Sequence, residues 1–112
     1  MKVAIAANKE SLRDQVAPHF GQAKNYIVYD TKTKTFDVYL NPEVSGGKEL
    51  PPDFLYQKGA NVVITFSLGF KAFEKFKEYK IKMYKATENT VLENIKALKR
   101  DKIHELSGED IY

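Results

Sequence analysis

The sequence contains no cysteine, and only four prolines and six glycines occur among its 112 residues. Without cysteine the chain can form neither a disulfide nor a zinc or iron–sulfur site built from its own thiolates, and it has no cysteine nucleophile. No apolar run approaches the roughly 20 residues that span a bilayer. The brief apolar stretch at the N-terminus is typical of a strand rather than of a signal peptide. We therefore predict a cytoplasmic protein that does not contact a membrane.

The sequence also lacks a strong excess of either charge. It has 18 Lys and Arg against 15 Asp and Glu, a net charge of +3. The lysines alternate with glutamates, whereas a nucleic-acid-binding face is normally a dense basic patch. The hydrophobic content of 43% is ordinary for a globular protein. These features predict one domain over residues 1–112, with no nucleic-acid partner and a flexible tail from about residue 101 that lacks periodicity.

Apolar periodicity predicts an opening made of strands alone. The apolar run Val3–Ala7 is the first strand, and two β-branched and aromatic runs, Tyr26–Tyr29 and Thr35–Leu40, follow it. A short polar segment separates the last two runs, so they should form an antiparallel hairpin that closes near Lys32 and Thr33.

The second half alternates helices with strands. The predicted elements are a helix from Pro51–Pro52 that ends at Gly59, a strand Val62–Phe66, a helix Phe70–Tyr79, a strand Ile81–Tyr84, and a helix that begins at the capping residues Thr90 and Glu93. Helices between strands imply parallel pairing through right-handed crossovers. The predicted fold class is α/β: a mixed five-stranded sheet, antiparallel over its first three strands and then parallel, flanked by three helices.

Each helix has an apolar stripe that should face the sheet. The predicted stripes are Leu50, Phe54 and Leu55 in the first helix, Phe70, Ala72, Phe73 and Phe76 in the second, and Val91, Ile95 and Leu98 in the third. Phe73 should be buried, in which case Phe73→Ala costs roughly 3–5 kcal/mol.

Two segments are not explained by this pattern of elements. The first is Pro18-His19-Phe20-Gly21, which follows the first strand. A histidine in such a loop can bind a metal or move a proton near neutral pH, and the alternative is a structural histidine bonded to backbone. The second is Ser67-Leu68-Gly69, between the most apolar strand and a helix. Free N–H groups at a helix start suit an anion, and the alternative is that Ser67 only caps the helix.

Several segments together resemble one known family, the dinitrogenase iron–molybdenum cofactor biosynthesis domains. They are Met1–Ala6, Pro18–Ala23, Asn41–Pro42, Lys58–Ile64 and Thr90–Glu93, and the resemblance covers about residues 1–100. It implies a ribonuclease-H-like fold. It also implies transient binding or carriage of an iron–sulfur or iron–molybdenum cluster precursor, without catalysis.

The candidate site follows from combining the resemblance with the two segments. Both segments leave carboxyl ends of strands that should be parallel neighbours, so we expect them to meet at one edge of the sheet. The candidate cofactor-binding residues are His19, Phe20, Gly21, Ser67, Leu68, Gly69 and Phe70, with His19 as an exposed, labile metal ligand. Neither Lys2–Ala7 nor Val62–Phe66 contains the carboxylates that two-metal hydrolysis requires, which argues against an enzyme.

Three functions are compatible with the sequence. The first is a carrier that exchanges its cluster with a donor or acceptor protein. The second is a metal-free interaction or regulatory module, favoured because Phe66 and Ser67 stand where the family often has paired glycines. The third is a binder of a small anionic ligand. A homodimer is also left open, since seven Tyr and seven Phe are enough to cover an interface.

Overall fold

The computed structural model describes residues 1–112 and contains one five-stranded sheet with the strand order β3-β2-β1-β4-β5. The main elements are β1 (Lys2–Ala7), β2 (Asn25–Asp30), β3 (Thr35–Leu40), α1 (Pro51–Gln57), β4 (Val62–Thr65), α2 (Phe70–Glu78), β5 (Lys82–Lys85) and α3 (Val91–Lys99). Two single 3₁₀ turns, Phe20–Gln22 and Gly108–Asp110, complete the chain. No helix has the length and apolar character needed to cross a membrane.

The pairing of the strands confirms the predicted mixed sheet. The central strand β1 pairs antiparallel with β2 and parallel with β4, and β4 pairs parallel with β5. The strands β2 and β3 form the predicted antiparallel hairpin, in which Asp30 pairs with Thr35 across the turn. The carboxyl ends of β1 and β4 therefore lie side by side. The ribonuclease-H-like label is narrower than this topology and stays a prediction.

The helices cover both faces of the sheet. Leu55 of α1 and Phe76 of α2 are buried in one cluster with Val63 of β4. Val91 and Ile95 of α3 are buried in a second cluster on the opposite face. This arrangement explains why β4 is a continuous apolar run, since a strand covered on both faces cannot alternate between apolar and polar residues.

The predicted apolar face of α2 is only partly correct. Phe76 is fully buried and Phe73 is half-buried, but Phe70 is 58% exposed. Three residues turn an α-helix by about 300°, which is less than a full turn. Phe70, Phe73 and Phe76 therefore point in successively different directions, and Phe70 points away from the core. Leu50 is likewise wrong as a core residue, because it precedes α1 as its N-cap and is 47% exposed.

The helix ends agree with the predicted capping signals. Pro51 and Pro52 begin α1, and Gly59 follows its end with a φ of +84°, a conformation that favours glycine. At the start of α3, the Thr90 hydroxyl accepts a hydrogen bond of 3.1 Å from the backbone N–H of Glu93. Val91 and Ile95 of α3 are buried, whereas Leu98 is half-buried.

The segment after residue 100 is attached to the sheet, where the sequence predicts a flexible tail. Ile103 is buried, and the carbonyl of His104 accepts a hydrogen bond of 2.7 Å from the backbone N–H of Lys85. The N–H of Leu106 donates to the carbonyl of Met83 at 3.1 Å. Pairing with the open edge of β5 uses backbone groups and does not require apolar side chains at regular spacing. The sequence of this segment therefore does not predict the pairing.

Candidate functional site

A cleft lies at the carboxyl ends of β1 and β4 and has a volume of about 300 Å³. It is bounded by the 3₁₀ turn, the segment before α1, the start of α2 and the end of the chain. Its lining residues are Phe20, Gly21, Glu43, Leu50, Pro51, Pro52, Leu68, Gly69, Lys71, Ala72, Lys75 and Tyr112. The walls are mostly apolar, which is typical of a small-ligand site.

Phe20 lies at the junction between the cleft and the hydrophobic core. Its ring packs against Tyr26 at a centroid distance of 4.9 Å and meets the edge of Phe76 at 5.8 Å. The Tyr26 hydroxyl donates a hydrogen bond of 2.9 Å to the carbonyl of Phe20. Burial, reinforced by the charge of Glu43, raises the pKa of Tyr26 well above its ordinary value, so the phenol stays a neutral donor. The core therefore fixes the position of the 3₁₀ turn.

Asn41 fixes the other side of the same turn. Its side chain is fully buried and donates to the carbonyls of Gly21, at 3.0 Å, and Ala23, at 2.9 Å. Its side-chain oxygen accepts a hydrogen bond of 3.0 Å from the N–H of Glu43. Asn41 thus links the two segments that carry Gly21 and Glu43 to the cleft.

Two lysines and one glutamate provide the charge of the cleft. Lys75 forms an ion pair of 3.4 Å with Asp53, which also accepts a hydrogen bond from the Tyr79 hydroxyl. That hydrogen bond raises the pKa of Tyr79 to about 12. Lys71 and Glu43 are both exposed and neither forms an ion pair, so the cleft has one unpaired cation and one unpaired carboxylate. Lys71 is the group that can attract an anion, and the apolar walls suit one with a weakly hydrated surface.

The turn between β4 and α2 is partly used by the chain itself. The N–H of Leu68 donates to the carbonyl of Asp110 at 2.9 Å, and the N–H of Phe70 donates to the carbonyl of Tyr112 at 2.7 Å. These two N–H groups are therefore not free for an anion, contrary to the expectation from the sequence. The cap of α2 is Gly69, without a side-chain hydrogen bond, so the alternative that Ser67 caps the helix is wrong.

The structure brings four of the predicted site residues together and leaves three outside. Phe20, Gly21, Leu68 and Gly69 line the cleft. Ser67 and Phe70 do not line it. His19 lines a separate recess of about 220 Å³ with residues that include Asn8 and Gln22. It is exposed, as expected for a labile ligand, and its role stays a prediction.

Sequence reasoning misses much of the cleft wall. In the sequence, Pro51 and Pro52 indicate only the start of a helix. In the structure they also line the cleft. Lys71 and Lys75 are one helical turn apart on the exposed side of α2, and this spacing could have indicated a charged rim. Tyr112 carries no signal in the sequence, because its place depends on backbone pairing far from its own segment.

The donor set of the chain does not fit a cluster held by protein ligands. No group of three or more His, Cys, Asp or Glu side chains could hold a metal ion, and the chain has no thiolate. Protein-held iron–sulfur clusters normally use four thiolates. A cluster could therefore bind in the cleft only as a preformed anion that brings its own sulfide ligands.

Fold and cleft together define a small single-sheet α/β protein with a ligand-sized site at the carboxyl ends of its parallel strands. The family model described as dinitrogenase iron-molybdenum cofactor matches residues 1–101. The chain belongs to this family, which confirms the resemblance. No curated protein matches the chain.

Solved structures share the fold over almost the whole chain. A NifB-like protein from Thermotoga has a TM-score of 0.80 and 29% identity, with 94% of this chain and 92% of that chain covered. The apo form of the orange protein from Desulfovibrio gigas has a TM-score of 0.83 and 25% identity, with 96% and 93% covered. A dinitrogenase-like protein from Methanocaldococcus jannaschii has a TM-score of 0.73 and 22% identity, with 96% and 95% covered, and supports the fold alone.

Proposed function

We propose that this protein is a non-catalytic carrier of an anionic iron–sulfur or iron–molybdenum cluster, or of its precursor. The observation that carries the proposal is the cleft of about 300 Å³, with apolar walls and the unpaired Lys71, in a member of this cofactor family. The cluster is cargo, received from a donor protein and passed to an acceptor protein in the cytoplasm.

The chemistry of the cleft suits release as well as binding. Sulfide surfaces are soft and weakly hydrated, so apolar walls such as Leu68 and Pro52 can contact them without burying unpaired polar groups. A lysine attracts an anion but forms no coordinate bond with it. His19, the one proposed metal ligand, lies in a separate recess and would hold a metal there on its own. A single exposed imidazole exchanges more readily than a set of thiolates.

Anaerobic titration with tetrathiomolybdate, a soluble molybdenum–sulfur dianion, tests this proposal directly. A carrier should give a coloured complex of one ligand per chain that remains coloured through gel filtration. Lys71→Gln should weaken the complex, whereas Lys99→Gln, at the end of α3 away from the cleft, should leave it unchanged. Absence of a stoichiometric complex with either tetrathiomolybdate or a preassembled iron–sulfur cluster would overturn the proposal.

A second candidate, a binder of small oxyanions, is favoured by the same unpaired Lys71, which attracts an oxyanion as well as a sulfide-bearing one. Phosphate and sulfate distinguish it from the first. An oxyanion binder should prefer them to tetrathiomolybdate, whereas a cluster carrier should not. The third alternative, a metal-free interaction module, predicts that none of these anions binds.

A further inference from the structure

The last residues of the chain pair with the turn that precedes α2. Leu68 pairs with Ile111 in a parallel bridge. The N–H of Tyr112 donates to the carbonyl of Leu68 at 3.0 Å, and the N–H of Phe70 donates to the carbonyl of Tyr112 at 2.7 Å. We call residues 107–112 the strap. It lies beyond the region that the family model matches, which ends at residue 101.

Beside these backbone hydrogen bonds, one ion pair, between Lys85 and Asp110, attaches the strap to the sheet, and we call this pair the latch. The Lys85 ammonium donates to Asp110 at 2.5 Å and to the carbonyl of Phe66 at 2.9 Å, so it joins the strap to the end of β4. Asp110 also accepts a hydrogen bond of 2.9 Å from the N–H of Ser107, which closes the 3₁₀ turn of the strap. Neither Lys85 nor Asp110 lines the cleft. The latch is therefore separate from the ligand-facing groups.

The strap has two effects on the cleft when it is docked. The side chain of Tyr112 forms one wall, and it lies 3.6 Å from the position that a Cβ on Gly69 would take. The strap also occupies the N–H groups of Leu68 and Phe70, which lie beside that wall. Docking thus makes the cleft narrower and removes two donors that an anion could use.

We propose that the strap determines which anions the cleft accepts, an inference that rests on the proposed function. With the strap docked, the cleft admits a compact anion. With the strap released, the cleft gains the space of Tyr112 and the donors of Leu68 and Phe70, and it then admits a larger thiometallate or cluster. The expected ligands are metal-containing dianions, and the strap selects among them by their size.

Binding of two dianions by four proteins tests the proposal. The probes are molybdate and the larger tetrathiomolybdate. The proteins are the unmodified chain, the latch variants Lys85→Met and Asp110→Asn, and the control Lys96→Met. Lys96 also forms an ion pair, with Glu93 at 3.6 Å, and its side chain is 46% exposed, close to the 44% of Lys85.

Both latch variants should bind tetrathiomolybdate about fivefold more tightly than the unmodified chain, because apparent affinity scales with the fraction of molecules in the competent state. Molybdate affinity should change less, and the control should match the unmodified chain for both probes. Hydrogen exchange gives an independent measurement: the amides of Leu68 and Phe70 should exchange faster in the latch variants.

The outcomes separate the strap from the carrier. Suppose that tetrathiomolybdate binds the unmodified chain and both latch variants with the same affinity, while hydrogen exchange of the Leu68 amide becomes faster in the variants. The strap proposal is then wrong and the carrier proposal stands. Weaker binding by the latch variants leads to the same conclusion. If no protein binds either dianion, both proposals fail. Tyr112→Ala, which keeps the latch but removes the wall, should also favour the larger anion, and this variant decides between the outcomes if Lys85→Met does not fold.

Discussion

The side-chain amide of Asn41 donates a hydrogen bond of 3.0 Å to the carbonyl of Gly21, 20 residues earlier in the chain. Asn41 follows β3 at one edge of the sheet, whereas Gly21 lies in the 3₁₀ turn beside the cleft. This contact makes the cleft depend on a buried residue that does not line it. The Asn41–Pro42 segment, identified in the sequence only as part of the family resemblance, is therefore a positioning element.

Replacing Asn41 with Ala should destabilise the fold by about 2–3 kcal/mol, because it leaves buried carbonyls without donors. Urea denaturation measures this loss. Asn61→Ala is the matched control, since Asn61 is exposed and its side chain accepts one hydrogen bond, of 2.8 Å, from the N–H of Lys2. The control should lose much less stability. Equal losses in the two variants would show that Asn41 has no special role in holding the turn.

Phe76→Ala should cost roughly 3–5 kcal/mol, as truncation of a fully buried aromatic side chain does. Phe73 is only half-buried in the structure, so Phe73→Ala should cost roughly 1–2 kcal/mol, less than the sequence predicts. Chemical denaturation measures the loss of unfolding free energy in each variant, provided that the two variants have the same dependence of this free energy on denaturant concentration. A larger loss for Phe73→Ala would contradict the orientation of α2.

The sequence is most informative where one element alone carries the signal. The apolar run of β4 and the turn between β2 and β3 predict burial and pairing correctly, because both depend on neighbouring residues. Part of the candidate site is also predictable: Gly69 follows β4 closely and Gly21 lies in the long loop that follows β1, and these two strands are parallel neighbours. Tyr112 and Asn41 are not, since each acts through contacts with segments distant in the sequence.

The hydrogen bond between Tyr79 and Asp53 should stabilise the fold up to high pH. The pKa of Tyr79 is raised from 10.0 to about 12, so the contribution is fully present below pH 10 and is lost as the pH rises through about 12. Stability of the unmodified chain, measured by denaturation between these limits, should fall more steeply than that of Tyr79→Phe. Parallel curves for the two proteins would exclude this contribution.

Docking of the strap should weaken in acid. The hydrogen bond from Lys85 holds the pKa of Asp110 below its ordinary value of 3.8. The contribution of the ionised form is therefore present above pH 3.8 and is lost as the pH falls through the lower value of the folded state. The amide resonances of Leu68 and Phe70, followed by NMR, should shift together over this range. In Asp110→Asn the same resonances should show no such transition.

Substitutions at the cleft and at His19 separate the two ways in which the protein could hold an anion. Lys71 forms no ion pair, whereas Lys75 is paired with Asp53 at 3.4 Å. Lys71→Gln should therefore weaken tetrathiomolybdate binding by about threefold to tenfold, the effect of losing one partly exposed charge, and Lys75→Gln should weaken it less. Isothermal titration under anaerobic conditions measures both.

His19→Ala gives the complementary result, because His19 lines a different recess from Lys71. If His19 coordinates the metal, its loss should sharply reduce binding of an iron-containing cluster that has an open coordination position, and should barely affect tetrathiomolybdate, whose molybdenum already has four sulfides. Its exposed position predicts a change in unfolding free energy within about 0.5 kcal/mol. A destabilised His19→Ala protein with unchanged cluster binding would assign the histidine to the fold. Recognition of the anion would then depend on Lys71 and the cleft walls alone.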